Sequence, residues 1–337
     1  MRSDLRLIPG NLAQPVVILI HGLGMNRHFW SDPEQCRVLG GLAPLSLFLN
    51  DPPDIGEAAL FSFGRPDGNS QGLMNALIDA GFGVAAWSQS RPVGPIETAI
   101  AELAHVVDAA RRRWPDRPIA LVGHSRGGLI ARRYLLDSPE SGICALVTIS
   151  SPHAGTLLAG FARYLRPAAK LLERILPPQD DTRRTAAFSR LAMFFKSRAV
   201  EELSPGSDFM RSLGRPLPAE VRALTIGGTN PVLFRLYARV TQNDEWRGIA
   251  LPDILLKALP ASRVPAELTP GLGDGLVSAA SARLAETDNT DGHHNFDCNH
   301  IRIAYNKKVR ELVLDFLTSP PDPFPSFSPL LQERGRG

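Results

Sequence analysis

Cysteine, lysine and long apolar runs are all scarce in this sequence. Of 337 residues only three are cysteine, Cys36, Cys144 and Cys298. They lie far apart and make no C-x-x-C spacing, which argues against a zinc site or a dithiol redox motif and leaves room for one disulfide. Lysine occurs only at 170, 196, 257, 307 and 308, so the basic side is almost all arginine, and 37 basic against 34 acidic residues give a net charge of +3. That balance excludes the broad basic field of a nucleic-acid binder. No run of about 18 or more apolar residues occurs, which excludes a spanning helix. The first apolar stretch, residues 15–20, is too short for the core of a signal peptide, so the chain is expected to be cytoplasmic.

The remaining composition is that of a folded protein, with 44% hydrophobic and 21% charged residues, and it argues against disorder, collagen or a disulfide framework. At roughly 150 residues per domain the length allows one large domain or two small ones. Residues 16–20 read Val-Val-Ile-Leu-Ile, a continuous β-branched run of the kind buried on both faces of a parallel sheet. Further strands are expected over residues 83–87, 119–123, 145–150 and 221–227. The intervals are long enough for crossover helices, expected over 98–114, 129–136 and 301–317. Alternating strands and helices imply an α/β sheet, mostly parallel, with right-handed connections.

About seventy residues after 150 break this alternation. Leu157, Phe161, Leu165, Ala168, Leu172 and Ile175 recur every three or four positions, as expected of amphipathic helices, and Pro167 should kink or break the first. Residues 163–198 carry nine basic side chains and three acidic ones, the pattern of a solvated helix face or of a segment that touches an anionic surface. The tail, residues 319–337, holds prolines at 320, 321, 323, 325 and 329 and is expected to be extended or disordered. The expected organisation is therefore a core in two parts, 1–155 and 219–318, a helical insertion at 156–218 and a flexible tail.

Gly123-His124-Ser125-Arg126-Gly127-Gly128 follows one expected strand and opens one expected helix. A G-x-S-x-G there is the context of a nucleophile elbow, a sharp strand-to-helix turn that presents the serine hydroxyl. A serine needs a base, and the base needs a carboxylate to fix its tautomer. With the chain order serine, acid, histidine, His300 is the expected base, just ahead of the last helix. His293 and His294 are read as polar loop, and His21 as a structural histidine. The expected acid is Asp274, in the glycine-flanked turn at 271–278. Asp297 is its rival, but stands only three residues from His300, too close to reach around to the correct ring nitrogen. Backbone amides of Leu23 and Arg126 are the expected oxyanion donors, with side-chain identities secondary. Leu157, Phe161 and Val277 are candidate substrate-pocket residues.

Four segments carry a family resemblance: His-Gly-Leu-Gly at 21–24, Gly-His-Ser-Arg-Gly-Gly at 123–128, Thr-Ile-Ser-Ser-Pro-His-Ala-Gly-Thr at 148–156 and Gly-Asp-Gly-Leu-Val at 273–277. Over residues 14–318 the chain resembles the α/β-hydrolase superfamily, and more narrowly the bacterial triacylglycerol lipase and esterase group. It is also similar to lipase-like proteins that remodel glycosylphosphatidylinositol anchors. The resemblance implies an α/β-hydrolase fold with a helical lid, Ser125 as nucleophile, Asp274 as acid, His300 as base, and the amides of Leu23 and Arg126 as oxyanion hole. Secreted members of the group hold a calcium near the catalytic histidine; no clear carboxylate pair for one stands here, so neither metal nor cofactor is expected.

The resulting expectation is a serine esterase or lipase acting on an acyl-ester or lipid substrate, with a transient membrane-surface contact through the basic insertion as an open reading. Acyl transfer, thioester or amide hydrolysis uses the same triad. A non-catalytic binder of an apolar ligand, or a partner docked through the basic insertion, are the readings outside catalysis.

Overall fold

The computed structural model describes residues 4–11, 14–38, 43–54, 61–62, 64–66, 71–157, 197–233, 235–240, 245–250, 264–284 and 290–319. Among these, seven strands make the central sheet: β1 (Arg6–Ile8), β2 (Val16–Ile20), β3 (Gly83–Ala86), β4 (Ile119–His124), β5 (Ile143–Ile149), β6 (Arg222–Gly228) and β7 (Thr290–Phe296). Their spatial order is β1-β3-β2-β4-β5-β6-β7. Every pairing is parallel except that of β1, which runs antiparallel to β3 at the edge.

The continuous apolar runs form strands because both faces of the sheet are covered. Val16, Ile18 and Ile20 join one buried cluster, with Ile119 and Leu121 of the neighbouring strand. Val17 and Leu19, with Ala120 and Val122, join the other. Alternate side chains point to opposite faces, so each strand feeds two cores. Each fully buried Val, Leu or Ile contributes about 1.5–3 kcal/mol. The first face is covered by α2 (Ile96–Arg113), whose Ile96, Ala99, Leu103, Val106, Val107 and Ala110 form one apolar stripe, and by α3 (Arg126–Asp137). The second is covered by α1 (Leu73–Asp79) and by α6 (Lys307–Thr318), through Val309, Val313, Phe316 and Leu317. Asn306 caps α6, accepting from the amides of Lys308 and Val309.

Gly127 lets α3 dock against β2. A Cβ built there would lie 2.1 Å from the carbonyl oxygen of Ile20, so only glycine permits this approach of helix to strand.

The insertion is described only at its two ends. Phe161, Pro167 and the rest of 158–196 lie outside the described residues, as do 320–337. Two short helices follow, α4 (Arg198–Glu202) and α5 (Asp208–Ser212). Their Ala199, Val200, Phe209 and Met210, with Leu203 and Leu213, pack into the α2 and α3 core.

Several expectations are corrected here. His293 and His294 lie in β7, not in a loop: this polar segment is held by main-chain pairing with β6 at the sheet edge, which demands little apolarity. Residues 301–317 are not one helix; a 3-10 turn, Arg302–Tyr305, precedes α6. The three cysteines are free thiols on separate segments. A second small sheet, in which Arg235–Val240 pairs antiparallel with Glu245–Ala250 and with Phe61–Ser62, had no signal in the pattern. Among the described residues no helix is long and apolar enough to cross a membrane.

Candidate active site

Ser125 sits at the turn from β4 into α3 with φ 56° and ψ −126°. A non-glycine residue at positive φ stores about 1–3 kcal/mol, tolerated when the surroundings fix it. Here they do: the Ser125 amide donates to the Ile149 carbonyl of β5 at 2.9 Å, and its own carbonyl accepts from the Gly128 amide at 3.1 Å. The turn is therefore clamped between a neighbouring strand and its own helix.

The fold brings Asp274 and His300 together. His300 Nδ1 lies 2.9 Å from Asp274 Oδ2, and both side chains are buried. The other carboxylate oxygen, Oδ1, accepts from the amides of Leu276 at 3.0 Å and Val277 at 2.8 Å. The His300 amide donates to the Asp274 carbonyl at 2.9 Å. With an ionised Asp274 the shared proton belongs to Nδ1, which leaves Nε2 with a free lone pair. The rival Asp297 is exposed and accepts from Asn230 Nδ2 at 3.1 Å.

His124, read from sequence only as part of the elbow, joins the two halves. Its Nε2–H donates to the His300 carbonyl at 2.7 Å, and the two rings stand 4.8 Å apart. Burial holds its pKa well below the ordinary histidine value, with the nearby His300 acting in the same direction. A neutral imidazole thus ties the main chain of His300 to the residue that precedes Ser125.

The loop after β2 lies over the elbow. A Cβ on Gly22 would come 3.0 Å from Ser125 Cβ, so this glycine lets the 21–24 loop, with the Leu23 amide, close on the serine. His21 anchors that loop. Its Nε2 accepts from the Gln89 amide at 3.0 Å and its Nδ1–H donates to the Gly22 carbonyl at 2.9 Å. Burial lowers its pKa to about 4.

Three neutral buried histidines make stability pH-dependent. His21 titrates near 6.5 when unfolded but near about 4 when folded. Its contribution, on the order of 3 kcal/mol, is fully present above pH 6.5 and is lost as the pH falls toward 4. His124 and His153, also depressed by burial, act in the same direction. The urea midpoint is expected to fall steadily from pH 7 to pH 5; a flat midpoint across that window would contradict neutral burial.

The candidate pocket residues separate. Leu157 is half exposed, with its amide donating to Glu267 Oε1 at 3.1 Å. Val277 is buried in the acid's turn, and Phe161 is outside the described residues. Sequence reasoning missed the Arg126 side chain, treated as secondary: it is fully buried, and its Nη2 donates to the Gly94 carbonyl at 2.6 Å. Among the described residues no group of three or more His, Cys, Asp or Glu could hold a metal ion.

A family model described as serine aminopeptidase, S33, matches residues 68–194, which include Ser125 but neither Asp274 nor His300. Among solved structures, the mature form of a Bacillus licheniformis lipase is 16% identical, with TM-score 0.53 over 94% of this chain and 98% of that one. Its propeptide form is also 16% identical, with TM-score 0.56 over 94% of this chain and 54% of that one. The chain has the α/β-hydrolase fold. Among curated proteins no significant sequence match to this chain is found.

Proposed function

We propose that this α/β-hydrolase is a serine carboxylic-ester hydrolase, an esterase or lipase, with Ser125, His300 and Asp274 as its triad. The buried Asp274–His300 bond, tied through His124 to a strained Ser125, carries the reading. Ser125 Oγ attacks the acyl carbonyl while His300 Nε2 takes the hydroxyl proton. The tetrahedral oxyanion is met by the amides of Leu23 and Arg126. Collapse breaks the bond to the alcohol, which leaves with the proton from His300, and the acyl group stays on Ser125. Water, deprotonated by His300, then releases the acid by the same route. Asp274 stabilises the imidazolium and holds its tautomer. This chemistry needs no cofactor.

The reading extends to domain organisation: residues 1–155 and 219–318 form the hydrolase core, and 156–218 form a lid over an apolar acyl site, favouring lipid-like esters. Leu157, Phe161 and Val277 are assigned to that site. A second reading, hydrolysis of an N-terminal amide bond, is favoured by one observation, the aminopeptidase description of the matching family model.

A series of p-nitrophenyl esters from acetyl to palmitoyl, run beside aminoacyl p-nitroanilides and combined with phosphonate labelling, tests both. Ester turnover with one phosphonate per chain on Ser125 is expected. A peak at long chains marks a lipase and a peak at short chains an esterase. Anilide turnover without ester turnover would replace the first reading by the second, and failure to label Ser125 would defeat both.

A further inference from the structure

We infer that the buried side chain of Arg126, acting through Gln89 and the 89–94 loop, is a positioning residue that sets the Leu23 amide as well as its own. The inference rests on the serine-hydrolase reading above and concerns how its oxyanion hole is built.

The two oxyanion amides belong to different segments, the loop after β2 and the start of α3. Strand pairing brings the two segments together, with Ile20 opposite Gly123, but Leu23 lies beyond that pairing. Arg126 supplies the link. Its Nη1 donates to Gln89 Oε1 at 3.3 Å and lies 3.4 Å from the Pro92 carbonyl, and its Nη2 donates to the Gly94 carbonyl at 2.6 Å. Gln89 passes the connection on, since its Nε2 donates to the His21 carbonyl at 3.0 Å. The Pro92 carbonyl also accepts from the Gly24 amide at 3.0 Å. The Leu23 amide is thus flanked: the His21–Gly22 peptide is held at its carbonyl and the Leu23–Gly24 peptide at its amide. Both holds converge on the one guanidinium whose own backbone carries the second donor.

The loop that relays this is also held from its other side. Glu102 of α2 accepts from Trp87 Nε1 at 3.1 Å and from the Ser90 amide at 3.2 Å. Glu202 of α4 lies 3.9 Å from Arg126 Nη2 and accepts from the Ile96 amide at 3.0 Å, so it aims the guanidinium while holding α2. A fully buried guanidinium is costly to desolvate, and a well-packed apolar side chain of like volume often stabilises a fold as well or better. Here its hydrogen bonds to Gln89 and Gly94 and the nearby Glu202 offset that cost.

The test uses the full chain in four forms: wild type, Gln89→Leu, Arg126→Met and the double variant. Each is titrated with a phosphonate so that rates are per functional site. The link predicts kcat lower by about 10- to 100-fold in each single variant, the scale of a misplaced catalytic group, with KM within about twofold. Affinity for a boronic acid, which forms a tetrahedral adduct on the serine, should fall by the same factor as kcat. The double variant should be no worse than the poorer single one, because both break one chain of contacts. Gln89→Leu leaves Arg126 and its Gly94 contact in place, so a folding failure of Arg126→Met does not remove the test. Wild-type kcat per site in Gln89→Leu, a loss confined to KM, or unchanged boronate affinity would overturn the inference. Ser125→Ala run in parallel separates the two levels: if that variant keeps activity, the serine reading itself fails.

Discussion

Ser125→Ala is expected to lower kcat for p-nitrophenyl ester hydrolysis by about 10⁴- to 10⁶-fold, with unfolding by urea little changed. The loss is large because the acyl-enzyme route disappears: no atom remains to form the covalent bond, and His300 has no hydroxyl to deprotonate. What survives is water attack on a carbonyl still bound near the oxyanion amides. The fold should tolerate the change because Ser125 is held by its backbone, through its amide to Ile149 and its carbonyl to Gly128, and alanine keeps both. Alanine must also accept φ 56°, so any loss of stability should be slight, since serine bears the same strain. Stopped assays with burst-phase analysis measure it. Activity within about tenfold of wild type would sink the nucleophile assignment.

Asp274→Asn is expected to lower kcat by about 10⁴-fold, whereas Asp297→Asn should leave it unchanged. The reason lies in the hydrogen bonds of the carboxylate. Oδ1 accepts from the amides of Leu276 and Val277, and an asparagine oxygen can take over that position without disturbing the turn. Its NH₂ group must then face His300 Nδ1. A donor there forces Nδ1 to accept and moves the ring proton to Nε2, the atom that has to receive the serine proton. Geometry stays intact and the base is in the wrong tautomer. Among the described residues Asp297 accepts from the Asn230 side chain, at the surface, and its amide version makes no such demand. Steady-state kinetics of both variants decide the matter: a large loss in Asp297→Asn with a small one in Asp274→Asn would exchange their roles.

Much of the fold was legible because its signals are local. Val16–Ile20 and residues 119–122 are apolar at consecutive positions, as suits a short strand covered on both faces. The stripe in Ile96–Arg113 has helical period. β7 was not legible: Thr290–Phe296 reads TDGHHNF, with neither alternation nor β-branched enrichment. It is a strand because β6 offers it an unpaired edge. The short antiparallel β1 likewise depends on the exposed edge of β3.

The site divides in the same way. Sequence by itself determined the elbow at 123–128 and pointed to Ser125, because an elbow is written in consecutive residues: a strand, two glycines where backbones meet, a serine and a helix. Only the tertiary structure decided what surrounds it. His124 bonds to a carbonyl 176 positions away, and Arg126 gathers Gln89, Gly94 and Glu202 around one buried charge. Those partners come from segments with no sequence relation to one another. A buried polar group has to find its hydrogen bonds wherever the closed sheet and its helices place them, and that placement exists only once the chain has folded.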